Sequence, residues 1–182
     1  MKLEIDLDGV KNNFTNRIDS LGLKVLRNRR VLDKYSRKKW DDIKGKVNLS
    51  YHTKNNVMEV FGLSGALAMY RYNASRAIEL ASGNFFDESY VSYKEDVDLA
   101  YRLRSAGFSS YILLNAVAFH SRSAETPEKR YDYVALANKK HQSHAIKYHS
   151  YKNHLATLYK NEYWQNFILD WPWIFWYELK KF

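Results

Sequence analysis

The 182-residue chain carries 29 Lys+Arg against 20 Asp+Glu, a formal net charge of +9, with 46% hydrophobic residues and no cysteine. That length and apolar share suit one globular domain with a real core. The absence of cysteine excludes a disulfide framework and thiolate chemistry and fits a reducing cytoplasm. The basic excess points to anionic partners, and charge alone does not choose among nucleic acid, anionic lipid and nucleotide phosphate.

In chain order, MKLEIDLDGV lacks a charged leader followed by an apolar run, so no signal peptide is expected. Leu3, Ile5 and Leu7 alternate as in a strand, Asp8-Gly9 signals a turn, and residues 18–26 offer further strand material. Residues 27–46, rich in Lys and Arg, read as a solvated loop with a short helix near 36–43. Residues 57–70, VMEVFGLSGALAMY, read as a buried strand, a tight backbone passage at Gly62, Ser64 and Gly65, and another buried segment leading to a helix at about 74–81. Taken alone, the two glycines indicate a bulge or simple packing.

Residues 85–107, FFDESYVSYKEDVDLAYRLRSAG, concentrate Asp87, Glu88, Glu95, Asp96 and Asp98 in an otherwise basic chain. Val97, Ala100 and Tyr101 share one helical face and Leu99, Leu103 and Ala106 an adjoining one, which predicts a helix over 95–106 stopped by Gly107. Glu95 and Asp96 then fall in the first turn, where the helix dipole favours carboxylates. Asp98 and Arg102, spaced i,i+4, are expected to pair on the surface. Two adjacent carboxylates raise one another's pKa, which suits a base working near neutral pH. The plainer alternative is that Glu95 and Asp96 only satisfy a helix N-terminus.

The ordered set Gly62 to Gly65, Phe86-Asp87-Glu88, Tyr93, Glu95-Asp96, Asp98-Leu99, Arg102, Gly107 and His120 resembles the C-terminal half of family 2 glycosyltransferases, inverting enzymes of the GT-A fold that include rhamnosyltransferase-like proteins. The resemblance implies an α/β fold: the acceptor-side part of a Rossmann-like GT-A domain with a mixed sheet over residues 1–125, then a helical, aromatic-rich extension over 126–182. It implies Asp96 as general base supported by Glu95, and substrate contacts from Gly62, Ser64, Gly65, Asp87, Glu88 and Arg102. His120, at the end of a strand read over 111–119, would be a ligand to a divalent metal, Mn²⁺ or Mg²⁺. Asp6-Leu7-Asp8 has the form of the family's metal-binding Asp-x-Asp but lies at a turn and too near 18–23, so that motif is read as missing. The nucleotide-binding half is missing as well, and the chain reads as a fragment, inactive by itself. Tyr72 and Leu114 depart from the family, which often has Arg and Pro at those places.

Thr126-Pro127-Glu128 reads as a helix start, followed by basic helix through about residue 160. His141, His144, His149 and His154 form no metal spacing, and Lys152-Asn153 stands where many relatives have Arg-Asn. The tail YWQNFILDWPWIFWYELKKF is interrupted by Asp170, Pro172 and Glu178 and is too short to span a membrane. It reads either as a helix packed back on the domain or as an interfacial helix at the inner face of the cell membrane. The expected partners are therefore a nucleotide sugar, a glycan or lipid-linked acceptor and the cytoplasmic membrane surface, without nucleic acid. The alternative is a non-catalytic basic module that binds membrane or polyanion.

Overall fold

The computed structural model describes residues 16–50, 56–119 and 144–180, with the backbone alone at 48–50. These residues form a mixed α/β structure. Strands β1 (Leu23–Val25) and β2 (Val31–Asp33) make an antiparallel hairpin, and helix α1 (Trp40–Ser50) follows. Strand β3 (Val57–Val60) pairs antiparallel with β4 (Ser110–Leu113), and between them lie helices α2 (Tyr72–Ala77) and α3 (Glu95–Ser105). Helices α4 (His144–Asn161) and α5 (Trp164–Leu179) close the described chain. An isolated bridge links the two sheets, where the Leu23 N–H donates to the Gly62 carbonyl at 2.8 Å.

The mixed sheet expected from the sequence is not what forms: both strand pairs among the described residues are antiparallel. The basic stretch 27–46 carries the expected short helix, displaced to begin at Trp40, but the rest is not simply a solvated loop. It supplies β2 and most of α1, because Ile43 and Val47 bury against Ile18, Met58 and Val60 and offset the ordering of a lysine-rich segment. The strand read over 111–119 stops at Leu113, where β3 runs out of partner. The Leu114 N–H is taken by Asn56 and the Ala116 N–H turns back to Leu113, so the apolar residues beyond have no ladder to join. The segment expected to be buried before α2 is on the surface, with Leu67 71% and Met69 91% exposed.

Helix α3 holds the rest together and follows its sequence pattern closely. Leu99 and Leu103 pack on Ala74 and Ile78 of the α2 segment, while Val97 and Ala100 pack on Leu23. Gly107, at φ +83, ends the helix in the left-handed conformation that glycine adopts without a Cβ penalty.

Candidate functional site

Asp96 lies in the first turn of α3, half-buried, and its Oδ2 accepts the backbone N–H of Gly65 at 3.1 Å. The local cause is the chain path before the helix. Tyr93 and Lys94 both take positive φ (69° and 70°), Lys94 forming a left-handed N-cap whose side chain makes no capping hydrogen bond, and this kink sets the first turn against the 62–65 passage. Burial raises the Asp96 carboxyl above its ordinary pKa; the Gly65 hydrogen bond opposes the rise, and the charges of Glu95 and Asp33 reinforce it. Glu95 Oε2 is buried with no hydrogen-bond partner among the described residues. Tyr70 stands close by: burial, and then the Asp96 charge, push its phenol up to about 12, so it is a neutral donor at any physiological pH. A carboxyl with a raised pKa, held beside the exposed Gly65, can accept the proton of a hydroxylated ligand.

The remaining candidates divide. Gly62 is no approach point for a ligand: a Cβ there would stand 2.2 Å from Ala100 Cβ, so its bareness serves the packing of β3's exit on α3. Gly65 is different, since a Cβ would meet only Asp96 atoms at 3.7 and 3.8 Å. Ser64 is half-buried beside it and Glu88 is exposed. Asp87 is engaged as a structural anchor. It caps the 3-10 turn at Glu88–Tyr90 through the Ser89 N–H at 2.9 Å and pairs with Lys160. Its burial would raise the carboxyl, but the hydrogen bonds from Lys160 and Ser89 outweigh that and bring it down to about 2. Arg102 is likewise committed, with Nε on Asp98 at 2.8 Å, Nη1 on the Ile78 carbonyl at 2.6 Å and Nη2 on the Phe85 carbonyl at 2.8 Å. The Asp98–Arg102 pair expected on the surface is inside, Asp98 being 2% exposed and also receiving Asn161 Nδ2 at 2.8 Å.

What sequence reasoning missed is the hold that α4 has on this segment. Lys152 Nζ reaches the Ser89 carbonyl at 2.6 Å, Thr157 meets the Tyr90 hydroxyl at 3.0 Å, and Asn161 meets Asp98. At the centre, fully buried Asn153 directs Nδ2 at the carbonyls of Tyr90, Ser92 and Tyr93 at 2.8, 2.8 and 2.7 Å. Two amide hydrogens are thus shared among three acceptors, which fixes the amide orientation. The clamped loop includes Val91 at φ 60, a costly conformation for a β-branched residue, besides Tyr93 and Lys94. Asn153 therefore helps to hold the strained loop that delivers Glu95 and Asp96. Only its place in an Asn-containing pair hinted at this.

The metal ligand expected at His120, and the Asp6 to Asp8 triplet, lie outside the described residues. Among the described residues no group of three or more His, Asp or Glu side chains converges to hold a metal ion. His144 is exposed and His154 is buried against Glu178 at 3.1 Å. Comparison with family models, with curated proteins and with solved structures gives no match for this chain.

Proposed function

We propose that this chain carries the acceptor side of an inverting glycosyl-transfer site of the GT-A type. The observation that carries the reading is Asp96: a carboxylate with a raised pKa, fixed by the Gly65 N–H, next to a buried and unpartnered oxygen of Glu95. In this role Asp96 accepts the proton of an acceptor hydroxyl as its oxygen bonds to the anomeric carbon of the donor sugar. The bond from that carbon to the nucleotide diphosphate breaks, the diphosphate leaves with the electron pair, and the configuration inverts. Glu95 supports the base: its charge reinforces the raised pKa of Asp96. The ordered motif supports the fold-level part of the reading; the parallel nucleotide-binding sheet of that fold has no counterpart among the described residues. In metal-dependent relatives a divalent ion offsets the charge of the leaving diphosphate. The described residues supply no ligand set for one, and no step here is routed through it.

A cytoplasmic, membrane-peripheral location belongs to the same reading, with lipid-linked sugars as acceptors. No described helix is long and apolar enough to cross a membrane. The test compares membranes from source cells lacking the protein with membranes to which its gene has been restored, supplied with labelled uridine and deoxythymidine diphosphate sugars. Restoration of label transfer into glycan or lipid extract, with inverted anomeric configuration, is the expected result. Equal labelling with and without the protein overturns the proposal.

A further inference from the structure

Helix α5 is laid on the protein with its polarity reversed. Its two carboxylates and Asn166 point inward, leaving Gln165 as the polar residue on the exposed side: Asp170 takes Arg27 at 2.9 Å and Arg29 at 3.1 Å, Glu178 takes His154 at 3.1 Å, and Asn166 donates to Glu162 at 2.7 Å. Its outward face, at helical i,i+3/i+4 spacing, presents Trp164, Ile168, Leu169, Phe175, Trp176 and Leu179, each between 51% and 80% exposed. Pro172 lies on that same exposed face. An outward apolar stripe with every carboxylate of the helix turned away is the opposite of a solvent-facing helix, and it is larger than scattered surface hydrophobics explain.

The rim says what covers it. Arg27 lies 3.9 Å over the Trp173 ring, Arg30 5.5 Å over Tyr177, and Lys180 5.7 Å over Trp176, so three cations border aromatic rings on a chain of net charge +9. Two copies meeting through this face would bring Arg30 and Lys180 of each together, the nearby Asp170 being already shared by Arg27 and Arg29. Headgroup phosphates above an apolar layer match both features. We infer that α5 is an in-plane anchor on an anionic bilayer surface, with its Trp164–Leu179 stripe entering the acyl boundary and Arg27, Arg30 and Lys180 at the phosphates. At 16 residues the helix is about 24 Å long, so it lies on the membrane and does not span it. This extends the peripheral location proposed above, and its readout, lipid binding, is independent of sugar transfer.

The test is vesicle co-sedimentation of the full chain, with Trp quenching by brominated acyl chains. Wild type is expected to bind vesicles containing about 30% phosphatidylglycerol about tenfold more tightly than pure phosphatidylcholine, with its Trp fluorescence quenched. The Ile168→Glu/Trp176→Glu double variant, whose altered side chains face outward, should keep the wild-type circular dichroism and lose binding by more than about tenfold. Arg27→Gln/Lys180→Gln should lose the preference for anionic lipid while keeping part of the quenching. A Tyr72→Glu control, equally exposed on α2, should bind as wild type does. The inference is overturned if wild type ignores anionic vesicles, if the double variant binds unchanged, or if the stripe mediates lipid-free dimers that the double variant abolishes while lipid binding is absent.

Discussion

Asp96 and Gly65, 31 residues apart, are joined by a 3.1 Å hydrogen bond from the glycine N–H to the carboxylate Oδ2. The contact fixes which of the two glycines in the 62–65 passage faces chemistry. Gly65 is exposed and bonded to the candidate base, whereas Gly62 is buried against Ala100.

Replacing each glycine with alanine separates the two roles. Gly62→Ala forces a Cβ into Ala100 and should cost about 1–3 kcal/mol of stability, read as a lowered denaturation midpoint. Gly65→Ala meets Asp96 only at ordinary contact distance, so it should fold normally and instead weaken acceptor binding. Equal stability of the two variants would contradict the packing account of Gly62.

Asn153 offers a test of the loop clamp. Asn153→Ala removes a buried amide that serves three carbonyls and should destabilise by about 2–3 kcal/mol. Asn153→Asp should be worse, because a carboxylate would face those same carbonyl oxygens. Hydrogen exchange should show the amides of residues 91–96 losing protection ahead of those in the α2 and β3 segments. Uniform loss throughout the chain would mean that Asn153 supports the whole fold and has no special hold on the loop.

Asp87 and Asp96 act oppositely on stability as pH changes. Asp87, brought down to about 2, contributes stability that is present above its unfolded pKa of about 3.9 and lost as pH falls toward 2. Asp96 is raised, so the folded state holds its proton longer than the unfolded chain does, and stability falls as pH rises from about 3.9 through the folded value. Asp96→Asn, which keeps an oxygen for the Gly65 N–H, should therefore be more stable than wild type at pH 7, by about 1 kcal/mol, with the gain vanishing below pH 4. Asp87→Asn should be less stable at pH 7, with the difference shrinking as pH falls through about 2. Urea midpoints across pH 2 to 8 would show a reversed order if either assignment is wrong.

The sequence made α3 legible to within one residue, because its apolar positions pack on two neighbours at helical spacing and Gly107 stops it. The first-turn place of Asp96 was legible for the same reason, whereas its neighbourhood with Gly65 was expected from the family resemblance alone. Asp33 and Tyr70 were not, since each reaches the site through tertiary placement: one ends a three-residue strand inside a lysine-rich stretch, and the other follows an exposed segment. The burial of Asp98 was hidden too. An i,i+4 acid–base pair looks the same on a solvated helix face as in an interior where Asn161 supplies a further donor.

The central claim is that Asp96 takes the acceptor proton, and the pH profile of transfer by wild type and Asp96→Asn in source-cell membranes tests it most directly. For wild type, kcat/KM should fall on the acidic side with an apparent pKa above the ordinary carboxylate range. The Asn variant should lose about 10²–10⁴-fold in kcat with that limb abolished, while donor binding is retained. Transfer by Asp96→Asn at the wild-type rate, with the acidic limb intact, would contradict the account and leave the chain as a basic, membrane-binding module without this catalytic group.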